Sequence, residues 1–262
     1  MNLELDGHIV LVTGSSRGLG RGLAASFLTE GATVILTGRD PHDLKAAAEH
    51  FRQRYGPGRV RAFLGDLGQQ NLIDELARFV DQEFGQLNHL VCNIGSGRSV
   101  PPLKENAAEW QRMLEVNLLA AVSGVRGLLP LLQKSAAPAD DATSITFISS
   151  ICGVEPLGCP VAYAAAKSAL ISYAQNIARP LGPQGIRVNV VSPGNIIFPG
   201  STWEDKLAKD QQAVEAMLKR EVPLQRLGTV AEVANVVLFL ASSRAAFVTG
   251  ANWVVDGGQT RL

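Results

Sequence analysis

The chain has no excess charge of either sign: 24 Lys and Arg balance 24 Asp and Glu over 262 residues. That balance removes the field that would draw nucleic acid or an anionic membrane, so neither is expected as a partner. Cysteine is scarce, with only Cys92, Cys152 and Cys159, and these lack paired metal spacing. The odd count argues against a disulfide framework and fits a reducing, cytoplasmic setting. The histidines, His8, His42, His50 and His89, are scattered without ligand spacing, so no metal is expected in the chemistry. Met1 to Gly7 carries two acids and no long apolar run, which does not read as a signal peptide. No stretch is expected to approach the ~18–20 apolar residues of a membrane span.

What is present is apolar material in short, repeated pieces. Apolar residues make up 46% of the chain and charged residues 18%, which suits a deep core covered on two faces. Strand-like runs occur at His8–Thr13, Thr33–Thr37, Val60–Leu64, His89–Asn93, Ser144–Ser149, Arg187–Val191 and Asn252–Val255. Helical patterns lie between them at Leu19–Thr29, His42–Tyr55, Leu72–Phe84, Ala107–Gln133, Val161–Arg179 and Ala231–Ala241. Gly31 and Gly56 stand where helices should stop. Strand and helix in alternation predict one α/β domain over 1–262, a doubly wound, mostly parallel sheet of the Rossmann type. Lys134 to Asp141 reads as an exposed loop. Phe198 to Val222, with Trp203 and many charges, reads as a mobile helical lid over a substrate.

Gly14-Ser15-Ser16-Arg17-Gly18-Leu19-Gly20 follows the first strand and opens the first helix. Glycines there permit a tight turn and close backbone approach to a pyrophosphate. The helix N-terminus adds free N–H groups and a positive dipole end. The spacing is not that of the ordinary dinucleotide fingerprint, and a plain strand–helix turn would look similar; the context favours a nucleotide. At the end of the second strand stands Thr37-Gly38-Arg39-Asp40. Two guanidiniums, Arg17 and Arg39, suit the 2′-phosphate of NADP, whereas an acid would suit NAD. Asp40, just before Pro41, is either that acid or a helix N-cap.

Tyr163 and Lys167 lie one helical turn apart, so they share a helix face. A free phenol titrates near pH 10, and a fixed cation beside it favours the phenolate. With the hydroxyl of Ser150 upstream, such a phenol polarises a carbonyl or exchanges a proton with an alcohol. Ser149 competes for the role of Ser150.

Together these segments resemble the short-chain dehydrogenases/reductases over essentially the whole chain. The resemblance rests on Thr13 to Gly20, Asp66-Leu67, Asn93 with Gly95, Asn117, Ser150, Tyr163-x-x-x-Lys167, Pro193-Gly194 and the tail from Val248-Thr249-Gly250 to Asp256-Gly257-Gly258. It implies a catalytic set of Asn117, Ser150, Tyr163 and Lys167: Tyr163 as acid/base, Lys167 lowering its pKa, Ser150 on the substrate oxygen and Asn117 holding a water. It implies a cofactor site of Gly14, Ser16, Arg17, Gly18, Leu19, Gly20, Arg39, Asp66, Leu67, Asn93, Gly95, Tyr163, Lys167, Pro193, Gly194 and Ile196. The expected activity is NADP-dependent hydride transfer to a ketone, among them 3-oxoacyl thioesters, keto sugars and similar carbonyls. Tyr163 to Lys167 and Pro223-Leu224-x-Arg226-x-Gly228 are similar to 3-oxoacyl-carrier reductases, features that other members of the family share. The alternative is an NADP-binding sensor or scaffold without turnover. A homotetramer is expected, by resemblance of the Ala107–Gln133 and Tyr163 helices to family interface elements.

Two departures stand out. Cys92 and Ile94 replace residues the family commonly has around Asn93, and Phe198 stands where a Thr often holds the carboxamide, with Ser201 or Thr202 as substitutes. Arg98 reads as a surface loop charge, and a redox role for Cys152 and Cys159 is not expected.

Overall fold

A computed structural model describes residues 2–136 and 143–261. In chain order the strands are β1 (Ile9–Val12), β2 (Thr33–Gly38), β3 (Val60–Leu64), β4 (His89–Cys92), β5 (Thr143–Ile148), β6 (Ile186–Pro193), β7 (Ile196–Ile197), β8 (Gly228–Thr229) and β9 (Asn252–Val255). The helices are α1 (Gly18–Thr29), α2 (Pro41–Tyr55), α3 (Gln70–Phe84), α4 (Ala107–Leu114), α5 (Ala120–Ser135), α6 (Val161–Leu181), α7 (Thr202–Lys209), α8 (Gln211–Glu221) and α9 (Val230–Ala241). Seven strands form one sheet in the order β3-β2-β1-β4-β5-β6-β9, and every pair is parallel. Chain order reverses between β1 and β4, which opens a crevice at the strand C-termini.

Parallel strands need helical crossovers, and these cover both sheet faces. One core layer joins α1, α2 and α9 to the sheet through Phe27, Leu36, Phe51 and Val237. The other joins α3, α5 and α6 through Leu76, Leu128, Phe147 and Leu170. A separate small cluster of Val214, Leu218 and Val222, with Trp203 and Met217 against it, holds α7 to α8. The predicted strands and helices stand within a few residues of their expected bounds.

The expected continuous helix over Ala107–Gln133 is instead interrupted by a π-helical turn at Glu115–Leu119. The wide turn carries Asn117, which is buried. Within Ala107–Ser135 an 18-residue window reaches a mean hydropathy of 1.4, the length and composition of a membrane span, which corrects the expectation that nothing approaches one. Its place is that of the crossover between adjacent β4 and β5, where α5 packs on α3 and on the sheet. Of the expected loop at Lys134 to Asp141, Lys134 and Ser135 belong to α5, and 137–141 lie outside the described residues.

Two polar groups are built into the core. Arg187 donates to the carbonyls of Leu240, Ala241 and Ser242, closing the C-terminal end of α9. The scattered histidines partly converge: His8 Nδ1 lies 2.9 Å from His89 Nε2, and His89 Nδ1 lies 2.9 Å from Ser144 Oγ. Burial holds His89 well below the usual histidine pKa, so it is neutral.

Candidate active site

The glycine turn after β1 is fixed to the sheet by short-range hydroxyl contacts. Ser15 Oγ donates to Val12 O at 2.7 Å and accepts from Thr37 N–H at 2.9 Å. Gly14 N–H donates to Thr37 Oγ1 at 3.0 Å. Asn93 Nδ2 donates to Thr13 O (3.0 Å) and Gly14 O (3.3 Å), so its amide braces the cradle. Gly14 and Gly18 adopt φ of +64° and +59°, a region that disfavours side chains. At Gly20 a Cβ would run into Gly14 O and Asn93 Nδ2. Ile94, the bulkier replacement, packs beside Gly14, 3.2 Å from where a Cβ would lie. The glycines thus let the turn pack closely against Ile94, Asn93 and Phe198 at the N-terminal end of α1, whose free N–H groups suit a pyrophosphate.

Asp40 is the N-cap of α2, accepting from His42 N–H and Asp43 N–H at 2.9 Å each. Those bonds, that to Asp43 first, hold its carboxyl below the usual carboxylate range. As a cap it is engaged with backbone amides. Arg17 reaches Asp43 at only 3.7 Å, with its side chain 77% exposed, and Arg39 is exposed at the end of β2. Ser16 packs against Gly38, and Asp66 turns back on Gly68 N–H at 3.1 Å. Leu19 packs on the core, Leu67 is buried in it, and Ile196 lies in β7. Gly194 approaches Asp256 so closely that a Cβ would stand 2.7 Å from its Cβ, and Pro193 closes β6.

At the C-terminal ends of β4 and β5 the remaining residues meet. Ser150 lies close enough to Tyr163 to act on its phenol. Burial pushes the Tyr163 phenol above its ordinary value, and the Ser150 contact opposes that shift. Ser149, the competing hydroxyl, instead donates to Lys167 O at 3.0 Å. Lys167 is 3% exposed, donates to Ile148 O at 2.9 Å, and has its Nζ 6.0 Å from the Tyr163 ring centre. Desolvation brings its pKa down to about 8. Asn117 Oδ1 accepts from Ser96 N–H at 2.9 Å, while its Nδ2 donates to Ser96 O and Met113 O. Gly95 sits between: a Cβ there would lie 2.9 Å from Lys167 Nζ and 3.0 Å from Asn117 Oδ1. Gly97 faces the Tyr163 ring. α6 starts on a borrowed cap, since Glu105 Oε1 accepts from Val161 N–H at 3.0 Å.

Three features were missed or misread in the sequence. Cys152 and Cys159 form a disulfide, which corrects the reading that the odd count argues against one: their Cα atoms stand 6.2 Å apart, a normal span, and Cys92 is left over. Arg98 is a surface loop charge, as expected, and is paired: it donates to Asp205 Oδ2 at 2.8 Å and to Gly200 O at 3.4 Å, tying the loop after β4 to α7. Arg112 holds that loop from behind, donating to Arg98 O at 2.9 Å. Phe198 lies over the glycine turn, 3.0 Å from where a Cβ on Gly18 would be. Ser201 is committed as the N-cap of α7, and Trp203 packs within the α7–α8 cluster.

Comparison with known proteins follows this geometry. The family described as enoyl-(acyl carrier protein) reductase matches residues 14–260. The chain is 32% identical to 3-oxoacyl-(acyl-carrier-protein) reductase FabG of Aquifex aeolicus, covering 98% of this chain and 99% of that protein. It is 32% identical to isoepoxydon dehydrogenase patN of Penicillium expansum, over 97% of this chain and 95% of that one. L-sorbose reductase of Gluconobacter frateurii, solved with NADPH and L-sorbose, superposes with a TM-score of 0.92 at 29% identity, covering 100% of both chains.

Proposed function

The chain belongs to the short-chain dehydrogenase/reductase family, and we propose that within it this protein reduces a ketone to a secondary alcohol, with Tyr163 as the acid. Family membership makes it an NADP-dependent oxidoreductase acting on a CH–OH/C=O pair. The observation that carries the finer reading is the buried Lys167 ammonium 6.0 Å from the Tyr163 ring centre, with Ser150 close enough to act on the phenol, at the C-terminal edge of the sheet. A phenol raised by burial stays protonated at neutral pH, which is the state a reductive proton donor must start in.

The cradle fits the cofactor because its glycines let the turn close tightly, with Gly14 and Gly18 at positive φ, at the N-terminal end of α1 where free N–H groups suit a diphosphate. Gly14, Ser16, Gly18, Leu19 and Gly20 would hold the diphosphate, and Arg17 with Arg39 the 2′-phosphate. Asp66, Leu67, Asn93 and Gly95 would border the adenosine side, and Pro193, Gly194 and Ile196 the nicotinamide. When bound, NADPH supplies the hydride. Ser150 donates to the substrate oxygen and orients it, and Tyr163 passes its proton to that oxygen as charge builds there. Lys167 stabilises the phenolate left behind, and Asn117, through Ser96, keeps the loop beside Gly95 in register. Phe198 and the 198–222 segment form a lid over the cradle.

The substrate class we favour is a 3-oxoacyl thioester, with keto sugars next; the former is supported by the FabG likeness and the latter by the sorbose reductase likeness. A cytoplasmic setting fits a reductase that draws on NADPH. Leu119, 45% exposed on the π-turn, and the outer face of Ala107–Ser135 would be covered in a homotetramer, which light scattering tests. The test of function is NADPH oxidation, with NADH in parallel, against 3-oxoacyl thioesters, keto sugars and simple ketones. Turnover on one class with NADPH supports the reading, and turnover with neither cofactor on any class overturns it.

A further inference from the structure

The disulfide sits inside the active-site wall. Ser150 and Tyr163 are joined by a loop, and Cys152 and Cys159 lie at the two ends of its middle part. The first end is anchored. Cys152 N–H donates to Ser150 Oγ at 3.2 Å, so the cysteine backbone touches the hydroxyl that meets the substrate oxygen. Gly153 packs so closely on the Lys167 backbone that a Cβ would stand 2.7 Å from its carbonyl carbon, and Gly153 O accepts from Ser168 Oγ at 2.6 Å. The second end is anchored as well, because Cys159 precedes Pro160, whose carbonyl accepts from Ala164 N–H in the first turn of α6. Between them the chain is held weakly. Val154 and Glu155 donate back to Ile151 O, and Glu155 accepts from Arg261 N–H. Among the described residues, no backbone hydrogen bond holds 156–159. Gly158 adds a turn at φ +73°. Both sulfur-bearing residues are half-buried, whereas Cys92 is 2% exposed and distant in sequence.

We infer that Cys152 and Cys159 are a thiol–disulfide exchange site that takes a low-molecular-weight disulfide, and that its state sets the order of the 154–160 loop and with it the KM for the carbonyl substrate. The thiolate of one cysteine attacks a sulfur of the small disulfide, forming a mixed disulfide and releasing one small thiolate. The second cysteine thiolate attacks the protein sulfur of that bond, closing Cys152–Cys159 and releasing the other. The two protein thiols lose two electrons and two protons, and the small disulfide becomes two thiols. Excess small thiol runs the same steps backwards. In a reducing compartment the pair therefore cycles rather than standing as a permanent staple. The KM effect rests on the carbonyl-reductase reading, whereas the exchange chemistry does not.

The full-length protein is equilibrated with oxidised or reduced glutathione, and its free thiols are counted by mass after alkylation in denaturant. The expected result is one alkylated cysteine, Cys92, in the oxidised form and three in the reduced form, reversibly. Hydrogen exchange of the 154–160 amides should rise in the reduced form. KM for a responding ketone should change several-fold while NADPH affinity stays constant. Cys152→Ser with Cys159→Ser should behave as the reduced form under both conditions; if it does not fold, the wild-type titration carries the test alone. Three free thiols after oxidation, equal loop exchange in the two forms, or an equal KM overturns the inference. If neither form turns over any carbonyl, the reductase reading fails, and thiol count with loop exchange alone decides the site.

Discussion

The two walls of the crevice are built from different materials. The cofactor wall, from Thr13 to Gly20 with Asn93, is bonded to the parallel sheet through Ser15, Thr37 and Asn93, all buried or half-buried. The proposed substrate wall, 151–160 with 198–222, is held by a disulfide, an exposed Arg98–Asp205 pair and an apolar cluster of its own. Buried backbone bonds keep a geometry because losing one leaves an unsatisfied polar group at ~1–3 kcal/mol, while exposed ion pairs contribute ~0–1 kcal/mol. On the proposed reading, the cofactor side is held by buried bonds to the sheet and the substrate side by a disulfide and surface contacts.

That contrast is strongest at Gly20. Gly20→Val would drive a side chain into Gly14 O and Asn93 Nδ2. The expected outcome is loss of NADPH binding by fluorescence titration and of all turnover, with a stability cost of ~1–3 kcal/mol in urea unfolding. Retained binding would show that the cofactor wall is as adaptable as the other. Next in size is the end of β2. Arg17→Ala with Arg39→Ala should raise the NADPH Kd by ~10–100-fold, the value of charge-assisted bonds at ~1.5–3 kcal/mol, and leave the NADH Kd unchanged. Parallel titrations with both cofactors check it.

The rate of reduction should fall as pH rises through about 8, where Lys167 loses its proton and the Tyr163 phenolate loses its nearest cation. The sign for stability is opposite. The folded pKa lies below the unfolded value of 10.5, so between about 8 and 10.5 the unfolded chain binds more protons and this group's contribution to stability rises with pH. A pH profile of kcat beside one of urea midpoints separates the two. The smallest effect belongs to the substrate wall: Asp205→Asn should change stability by under ~1 kcal/mol and alter KM more than kcat.

Much of the cofactor wall was legible because its signals are local. A strand, a glycine turn and a helix follow one another within twenty residues of Val10, and Tyr163 and Lys167 need only helical spacing. Some ambiguities needed the fold: Asp40 as cap and Ser149 as a partner of the Lys167 carbonyl depend on which way each backbone turns. The π-turn that inserts Asn117 changes helix period by a fraction of a turn, below what apolar spacing resolves. The Arg98–Asp205 pair and the His8–His89 contact join residues far apart in sequence, and no spacing rule reaches them. The Cys152–Cys159 bond was hidden by arithmetic, since one buried cysteine made the count odd.

The most direct measurement is made on Tyr163→Phe: NADPH affinity and turnover of the responding ketone on the same preparation. The account predicts an unchanged NADPH Kd, because the cofactor wall is untouched, and turnover reduced by ~10²–10⁴-fold, the usual weight of a positioned acid. Turnover that survives the loss of the phenolic hydroxyl would contradict the assignment of the acid, and with it the division of labour between the two walls.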